Sequence, residues 1–145
     1  MDWIPHITVA AVIESNGRFL LIEEKAKGLI VFNQPAGHWD ENETIIQAAA
    51  RETLEESAWH FEPQAITGIY TYTNPSKTTY LRIAYTGKHH SHEPNRILDT
   101  GILRTAWFTR DEIAKLPNLR SPMVLRCVDD YLAGNRYPLS LVTAL

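Results

Sequence analysis

Apolar and polar positions alternate along the first third of the chain in a way that predicts strands. The stretch "HITVAAVIESNGRFLLIEEK", His6 to Lys25, is two apolar runs joined at Asn16-Gly17. Asn-Gly between β-forming runs is the strongest short hairpin signal, because both residues accept positive φ. "LIVFNQPAGH" follows: Leu29 to Phe32 read as a short strand, stopped by Pro35 and Gly37. "AITGIYTYT" and "TYLRIAYTG" alternate again around Asn74-Pro75-Ser76-Lys77, which predicts a second hairpin. Between these strands the period changes, and Glu43 to about Ser57 reads as helix. Asp40, Asn42 and Thr44 are its candidate caps, with Asp40 and Glu43 matching a capping box. Downstream, Lys88 to Gly101 is polar and loop-like, and "ILRTAWF" is a strand. "TRDEIAKL" is a short helix capped by Thr109. "SPMVLRCVDDYLAG" is a last helix with Ser121 as cap, Pro122 in the first turn and Gly134 as stop. No repeat or linker interrupts this order, so residues 1–145 are expected to form one α/β domain with mostly hairpin-connected strands.

The helix beginning near Glu43 carries an unusual charge pattern. At about 100° per residue, Ile46, Ala49, Ala50, Thr53 and Leu54 share the face expected to be buried. Glu52, Glu55 and Glu56 crowd one arc of roughly 100° beside it. Like charges at this spacing weaken a helix by roughly 0.2–0.5 kcal/mol per pair. Either all three point into water, or something positive gathers them. Mg²⁺ takes one or two carboxylates, keeps several waters and bridges to phosphate. Ala48 and Ala49, one turn earlier, would leave room for it.

Composition narrows the chemistry. Hydrophobic residues are 44% and charged residues 21% of the 145, as in ordinary globular proteins. A net charge of −3 gives no general attraction to nucleic acid or to an anionic membrane, so neither is an expected partner. Any phosphate must be handled by local charges or metal ions. The single cysteine, Cys127, excludes a disulfide framework and reads as a buried apolar group in the last helix, which makes a reducing cytoplasm the expected home. "MDWIPHITVA" has no basic stretch and no apolar core, and neither a signal peptide nor a membrane span is expected.

The spacing around the glutamates is specific. Gly37, five residues, Glu43, seven residues, Arg51-Glu52, two residues and Glu55-Glu56 resembles the Nudix box, with every charged position matched. Thr53, Ala58 and Trp59 stand where the box has an aliphatic, a glycine and an aliphatic. The lost glycine predicts a differently built turn at Ala58, because a left-handed Ala costs about 1 kcal/mol more than Gly. None of these changes removes an acid. "FNQPAGH", "NLRSPMVLRCVDDYLAGNRYPL" and the opening hairpin extend the resemblance toward the NudJ-type branch of the Nudix hydrolases, from Pro5 to about Leu139.

The resemblance implies an α/β Nudix fold, an α/β/α sandwich with a mixed central β-sheet. It implies Mg²⁺-dependent hydrolysis, with Mn²⁺ as a substitute, of nucleoside di- and triphosphates or related small diphosphates such as hydroxymethylpyrimidine pyrophosphate. The alternatives are an ADP-ribose or nucleoside-diphosphate-sugar pyrophosphatase and, from another class, an inert Nudix binding module; the retained acids speak against the module. Carried onto this chain, Glu52 and Glu56 are the prime metal ligands, Glu55 serves a further ion, and the Gly37 carbonyl completes a shell. Glu43 and Arg51 are expected to pair and orient those ligands. An acid outside the box often acts as base or extra ligand; Glu93 and Asp99 are the candidates, with Asp99 preferred for its closeness to "ILRTAWF". Arg82 and Arg120 offer forks for phosphate oxygens. Phe32, Tyr72, Tyr80 and Trp39 offer faces for a ring, although each also fits ordinary packing. His38 either faces the phosphates or packs on backbone. His89, His90 and His92 read as a solvated cluster. Monomer and homodimer both remain open.

Overall fold

The computed structural model describes residues 2–145. Its strands are β1 (His6–Val12), β2 (Glu14–Ser15), β3 (Arg18–Ala26), β4 (Leu29–Asn33), β5 (Ala36–His38), β6 (Trp59–Thr73), β7 (Thr79–His92) and β8 (Ile102–Thr109). The helices are α1 (Ile45–Ser57), α2 (Arg110–Lys115) and α3 (Met123–Leu132), followed by a short 3₁₀ turn at Leu139–Leu141. One sheet runs β5-β1-β7-β6, with β1 parallel to β7 and the other neighbours antiparallel. In the other, β3 pairs β2 and β4 along one edge and β8 along the opposite one.

The layering follows from the period-two alternation of the strands. Val9 and Ala11 of β1 and Leu20 of β3 pack with Ala48 and Ala49 of α1. Their neighbours Ala10, Val12, Phe19 and Leu21 pack with Ile113 of α2 and Val124, Cys127 and Val128 of α3. Successive residues therefore serve opposite helical layers, which makes the α/β/α sandwich. Among the described residues no helix is long and apolar enough to cross a membrane.

The second predicted hairpin forms, and the Asn16-Gly17 turn forms too, but it joins only Glu14–Ser15 to β3; the apolar run of β1 is instead paired with β5 and β7 in the other sheet. Asn16 and Gly17 take φ of 52° and 78° at the first turn. At the second, Asn74 Oδ1 accepts from the Thr78 N–H at 2.9 Å, and Tyr72 pairs with Tyr80. Thr109 caps α2 in a full capping box with Glu112. At the start of α3 the cap position falls on Pro122 and not on Ser121 as expected, although Ser121 Oγ accepts the Met123 N–H at 3.1 Å just before it.

Several expectations are corrected. Gly37 lies within a strand, β5, where Val9 is its partner. The polar stretch after Lys88 continues β7 as far as His92, paired with the start of β6. Thr44, with Gln47, builds the capping box of α1, and Asp40 lies outside the helix, although its N–H does reach Glu43 Oε1 at 2.9 Å. The buried stripe of α1 is Ala48, Ala49, Thr53, Glu56 and Ser57; Ala49 and Thr53 are on the expected face, while Ile46, Ala50 and Leu54 are only half-buried and Glu56 and Ser57 join the stripe. Ala48 and Ala49 are core, at 0% and 1% exposure, so their small size admits the sheet and not an ion. At the end of α1 the turn keeps its left-handed residue without glycine: Ala58 has φ 63°, its N–H donates to Leu54 O at 2.9 Å and its carbonyl accepts from Glu93 N at 2.9 Å.

One glycine in the long hairpin is required by sterics. The β6–β7 register shifts between Pro63 and Ala65, opposite Gly87. A β-carbon at Gly87 would overlap the backbone carbonyl of Glu62, which has nowhere to go. Gly87→Ala is expected to destabilise the protein by about 1–3 kcal/mol, read as a lowered denaturation midpoint.

Candidate active site

Three elements meet at the acidic helix. The short strand β5 lies against the last two turns of α1 because Gly37 has no side chain: an added β-carbon would sit inside the Glu52 carboxylate. One turn on, Glu56 Oε1 accepts the Ala36 N–H at 2.9 Å. The segment just before Gly101 supplies the third wall through Asp99, whose N–H donates to the Glu55 carbonyl at 3.0 Å. Glu52, Glu56, Asp99 and Gly37 all line one cleft of about 420 Å³.

Arg51 organises this region. Its Nε and Nη2 grip Glu43 in a two-point fork at 2.8 and 2.7 Å. Nη1 donates to Glu52 Oε1 at 2.8 Å and Glu55 Oε1 at 2.7 Å, and Nη2 also reaches the His38 carbonyl at 3.0 Å. The β5–α1 loop and the helix are thereby tied through one guanidinium. Hydrogen bonding to Arg51 holds the Glu43 carboxyl below its ordinary value.

The cleft acids behave oppositely. Burial pushes Glu52 up to about 7, with Arg51 pulling back and Glu55 and Asp99 adding repulsion. Burial pushes Glu56 up to about 9 against the Ala36 N–H, and Glu52, Glu24 and Asp99 raise it further. Asp99 is raised too, by burial and then by Glu55. Hard oxygen donors that resist ionisation together are what a divalent cation relieves. Among the described residues no three His, Cys, Asp or Glu side chains converge on one point. Arg51 holds Glu55 and one oxygen of Glu52, while Glu56 and Asp99 face the cleft. Two carboxylates with a backbone carbonyl and water still fit a magnesium shell, and the vacant β-carbon position at Gly37 is the cradle that keeps Glu52 there.

The remaining sequence candidates divide cleanly. His38, Arg82, Arg120, Tyr72 and Tyr80 line the cleft. Arg120 Nη1 donates to Glu24 Oε1 at 2.6 Å. His38 Nε2 meets His6 Nδ1 at 2.9 Å, and burial, then the neighbouring His6, lowers its pKa. Glu55 is drawn to Arg51 and is not on the cleft wall. Phe32, expected to offer a ring face to substrate, is corrected: it is 5% exposed and packs edge-on to Phe108 at 5.3 Å, so its apolar ring belongs to the core. Trp39 lies outside the cleft with its indole N–H on the Glu43 carbonyl at 2.7 Å. Glu93 turns to His60 at 2.6 Å and is absent from the cleft. His89 and His92 pack around Trp59, and His90 stacks on His60 at 5.9 Å. Glu24 and Asn33 line the cleft and were not foreseen. Both sit in stretches that carry the family resemblance, but nothing in those stretches marks their side chains; the pairing of β3 with β4, with hydrogen bonds to Arg82 and Arg120, brings them to the cleft. A wider hollow of about 680 Å³ between β6 and α3 has no acid cluster, since Asp130 there is bound by Tyr70 and Arg126.

A mixed-sheet sandwich that sets a glycine strand against a glutamate helix, cross-tied by one arginine, defines the Nudix class of hydrolase. The chain matches the NUDIX domain model over residues 4–127. It is 38% identical over 138 residues to Phosphatase NudJ of Shigella boydii serotype 4 (strain Sb227), covering 95% of this chain and 90% of that one. The same figures hold for Phosphatase NudJ of Escherichia coli strain K12. A solved NUDIX hydrolase from Nitrosomonas europaea superposes with a TM-score of 0.95 at 50% identity, covering 98% of each chain. The chain therefore belongs to the Nudix family, and it is a hydrolase.

Proposed function

We propose that the protein hydrolyses phosphoanhydride bonds in nucleoside di- and triphosphates or related small diphosphates, using Mg²⁺, with Mn²⁺ able to substitute. The observation that carries this reading is the pair of buried carboxylates, Glu52 and Glu56, held against Gly37 on one wall of a cleft. Glu52, Glu56 and the Gly37 carbonyl would hold the cation, and Glu55 would serve a further ion on leaving Arg51. When bound, the cation neutralises phosphoryl oxygens and lowers the pKa of water. Arg51 and Glu43 keep the carboxylates oriented by fixing loop to helix. Asp99, raised above the ordinary aspartate value, is matched to accept a proton from water in the cleft. Arg120 and His38, which line the same cleft, bring donors to the phosphate oxygens. The name Phosphatase given to the curated relatives supports release of single phosphates. A single buried thiol and the absence of a spanning helix among the described residues suit work in the cytoplasm.

The test is release of inorganic phosphate from GTP, CTP and hydroxymethylpyrimidine pyrophosphate, with MgCl₂ and with EDTA. Release that requires magnesium is expected for at least one of them. No release from any, or release unchanged by EDTA, overturns the reading.

A further inference from the structure

Part of the cleft wall is built from a cation that has no anion. Arg82 of β7 lines the cleft, is 3% exposed and forms no ion pair among the described residues. Its Nη1 donates to Gln34 Oε1 and its Nη2 to Asn33 Oδ1, both at 2.9 Å, while Nε has no partner. A guanidinium can only donate, so both carboxamides must turn their oxygens toward it. For Gln34 the circuit closes, because its Nε2 donates to the Val124 carbonyl at 2.8 Å. For Asn33 it does not. Among the described residues its Nδ2 donates to no protein group, yet it is not one of the sealed-off unpartnered atoms, which are Arg82 Nε and Tyr85 Oη. Asn33 lines the cleft. The cleft therefore receives an amide NH₂ whose direction Arg82 has fixed.

Its position matches a ring and not a phosphate. Thr8 of β1 is paired with His38 of β5 on one side and with Arg82 of β7 on the other. Two strand spacings, about 10 Å, thus separate Arg82 from the residue following Gly37. Tyr80 is two residues from Arg82 on the same face of β7, Tyr72 is its cross-strand partner, and both line the cleft. A heterocycle attached to phosphates near Gly37 has aromatic walls and one fixed donor at this distance.

We infer that Asn33 is a specificity residue whose Nδ2 donates to an acceptor atom, a hydrogen-free ring nitrogen or an exocyclic carbonyl oxygen, of a heterocyclic base carried by the substrate. Arg82 is a positioning residue that holds the Asn33 carboxamide in its donating orientation. This deepens the proposed function, on which it rests for where the phosphates lie. An apolar or acceptor group at residue 33 would leave the base acceptor unpaired on binding, and that mismatch is what discriminates.

Binding measured without turnover tests it. CMP, UMP, GMP, AMP and ribose 5-phosphate contain no phosphoanhydride, and each is titrated by calorimetry in MgCl₂ into wild type, Asn33→Asp and Arg82→Lys. Wild type is expected to bind at least one nucleotide about tenfold or more tightly than ribose 5-phosphate. Asn33→Asp keeps the shape, gives Arg82 a carboxylate and removes the donor. It is expected to erase that base-dependent gain, leave ribose 5-phosphate binding unchanged and melt no lower than wild type. Arg82→Lys, which cannot hold both carboxamides, is expected to lose part of the gain. The inference is overturned if the base adds nothing in wild type, if Asn33→Asp binds nucleotides as wild type does, or if ribose 5-phosphate binding falls equally. Base-dependent binding through Asn33 without any phosphate release would retain this inference and remove the proposed function, so the two fail separately.

Discussion

Glu56→Gln is expected to slow phosphate release by about a thousandfold or more while the protein stays folded. Glutamine keeps the length and shape of the side chain, and its Oε1 can still accept the Ala36 N–H that Glu56 accepts at 2.9 Å. What it removes is a carboxylate that, in the proposed reading, would lie next to the phosphates and hold the cation. The rise in melting temperature on adding MgCl₂ should shrink in parallel. Stability should move the other way. In the metal-free fold Glu56 titrates at about 9 against an ordinary 4.5, so the native state holds a proton that the unfolded chain releases. By linkage this group stabilises the fold at low pH and loses that contribution as pH rises toward 9. Metal-free wild type should therefore lose stability across this window. Glu56→Gln should be flatter and, at pH 8, more stable by roughly 1–3 kcal/mol. The residual slope belongs mainly to Glu52, raised to about 7, with a contribution from the raised Asp99. Glu23→Gln is the control: its carboxylate meets Arg104 at 3.0 Å on β3 and β8, away from the cleft, and its loss should change the rate by less than about twofold. A Glu56→Gln protein with wild-type turnover and an undiminished magnesium shift would remove Glu56 from the metal site.

Local chemistry made most of this fold legible and hid part of the site. Asn16-Gly17 and the Thr109 box are decided within a few residues, and both form as expected. Strand β5 is three residues long, with Pro35 before it and Gly37 within it, so its local propensity is that of a loop. It becomes a strand because β1, far away in the chain, pairs with it, the Ala11 N–H reaching the Pro35 carbonyl at 2.9 Å. Lys88 to His92 is extended for the same reason, against β6. The face of α1 differs from the expected one because Glu56 and Ser57 are buried alongside Ala48, Ala49 and Thr53, which the apolar pattern alone does not show. In the fold Glu56 is 8% exposed, and Thr53 turns its hydroxyl onto the Ala49 carbonyl at 2.7 Å to be buried beside it. The spacing of Glu43, Arg51 and Glu52 was legible because one helix and its preceding loop carry all three. Asn33 and Glu24 were not, since what brings them to the cleft is strand pairing together with hydrogen bonds to Arg82 and Arg120, far away in the chain.

Gly37→Ala should separate activity from stability. Unlike Gly87, whose missing β-carbon faces immovable backbone, Gly37 faces the end of a flexible side chain, the Glu52 carboxylate. That carboxylate can swing aside with little disturbance of β5 or α1, so the fold should lose no more than about 1 kcal/mol. Swinging aside, however, moves Glu52 off the cleft wall. It also breaks the contact that Arg51 makes to Glu52 Oε1 at 2.8 Å, loosening the fork that aligns loop and helix. A displacement of about an ångström at such a group costs on the order of a hundredfold in rate. Phosphate release is therefore expected to fall about a hundredfold or more, with the magnesium concentration for half-maximal rate raised and the denaturation midpoint nearly unchanged. Gly87→Ala should show the reverse, a lowered midpoint with near-normal turnover of the molecules that remain folded. If Gly37→Ala instead unfolds the protein as Gly87→Ala does, Glu52 is locked by its surroundings and the glycine serves strand packing. If it turns over normally, the carboxylate at that position is not one the reaction uses.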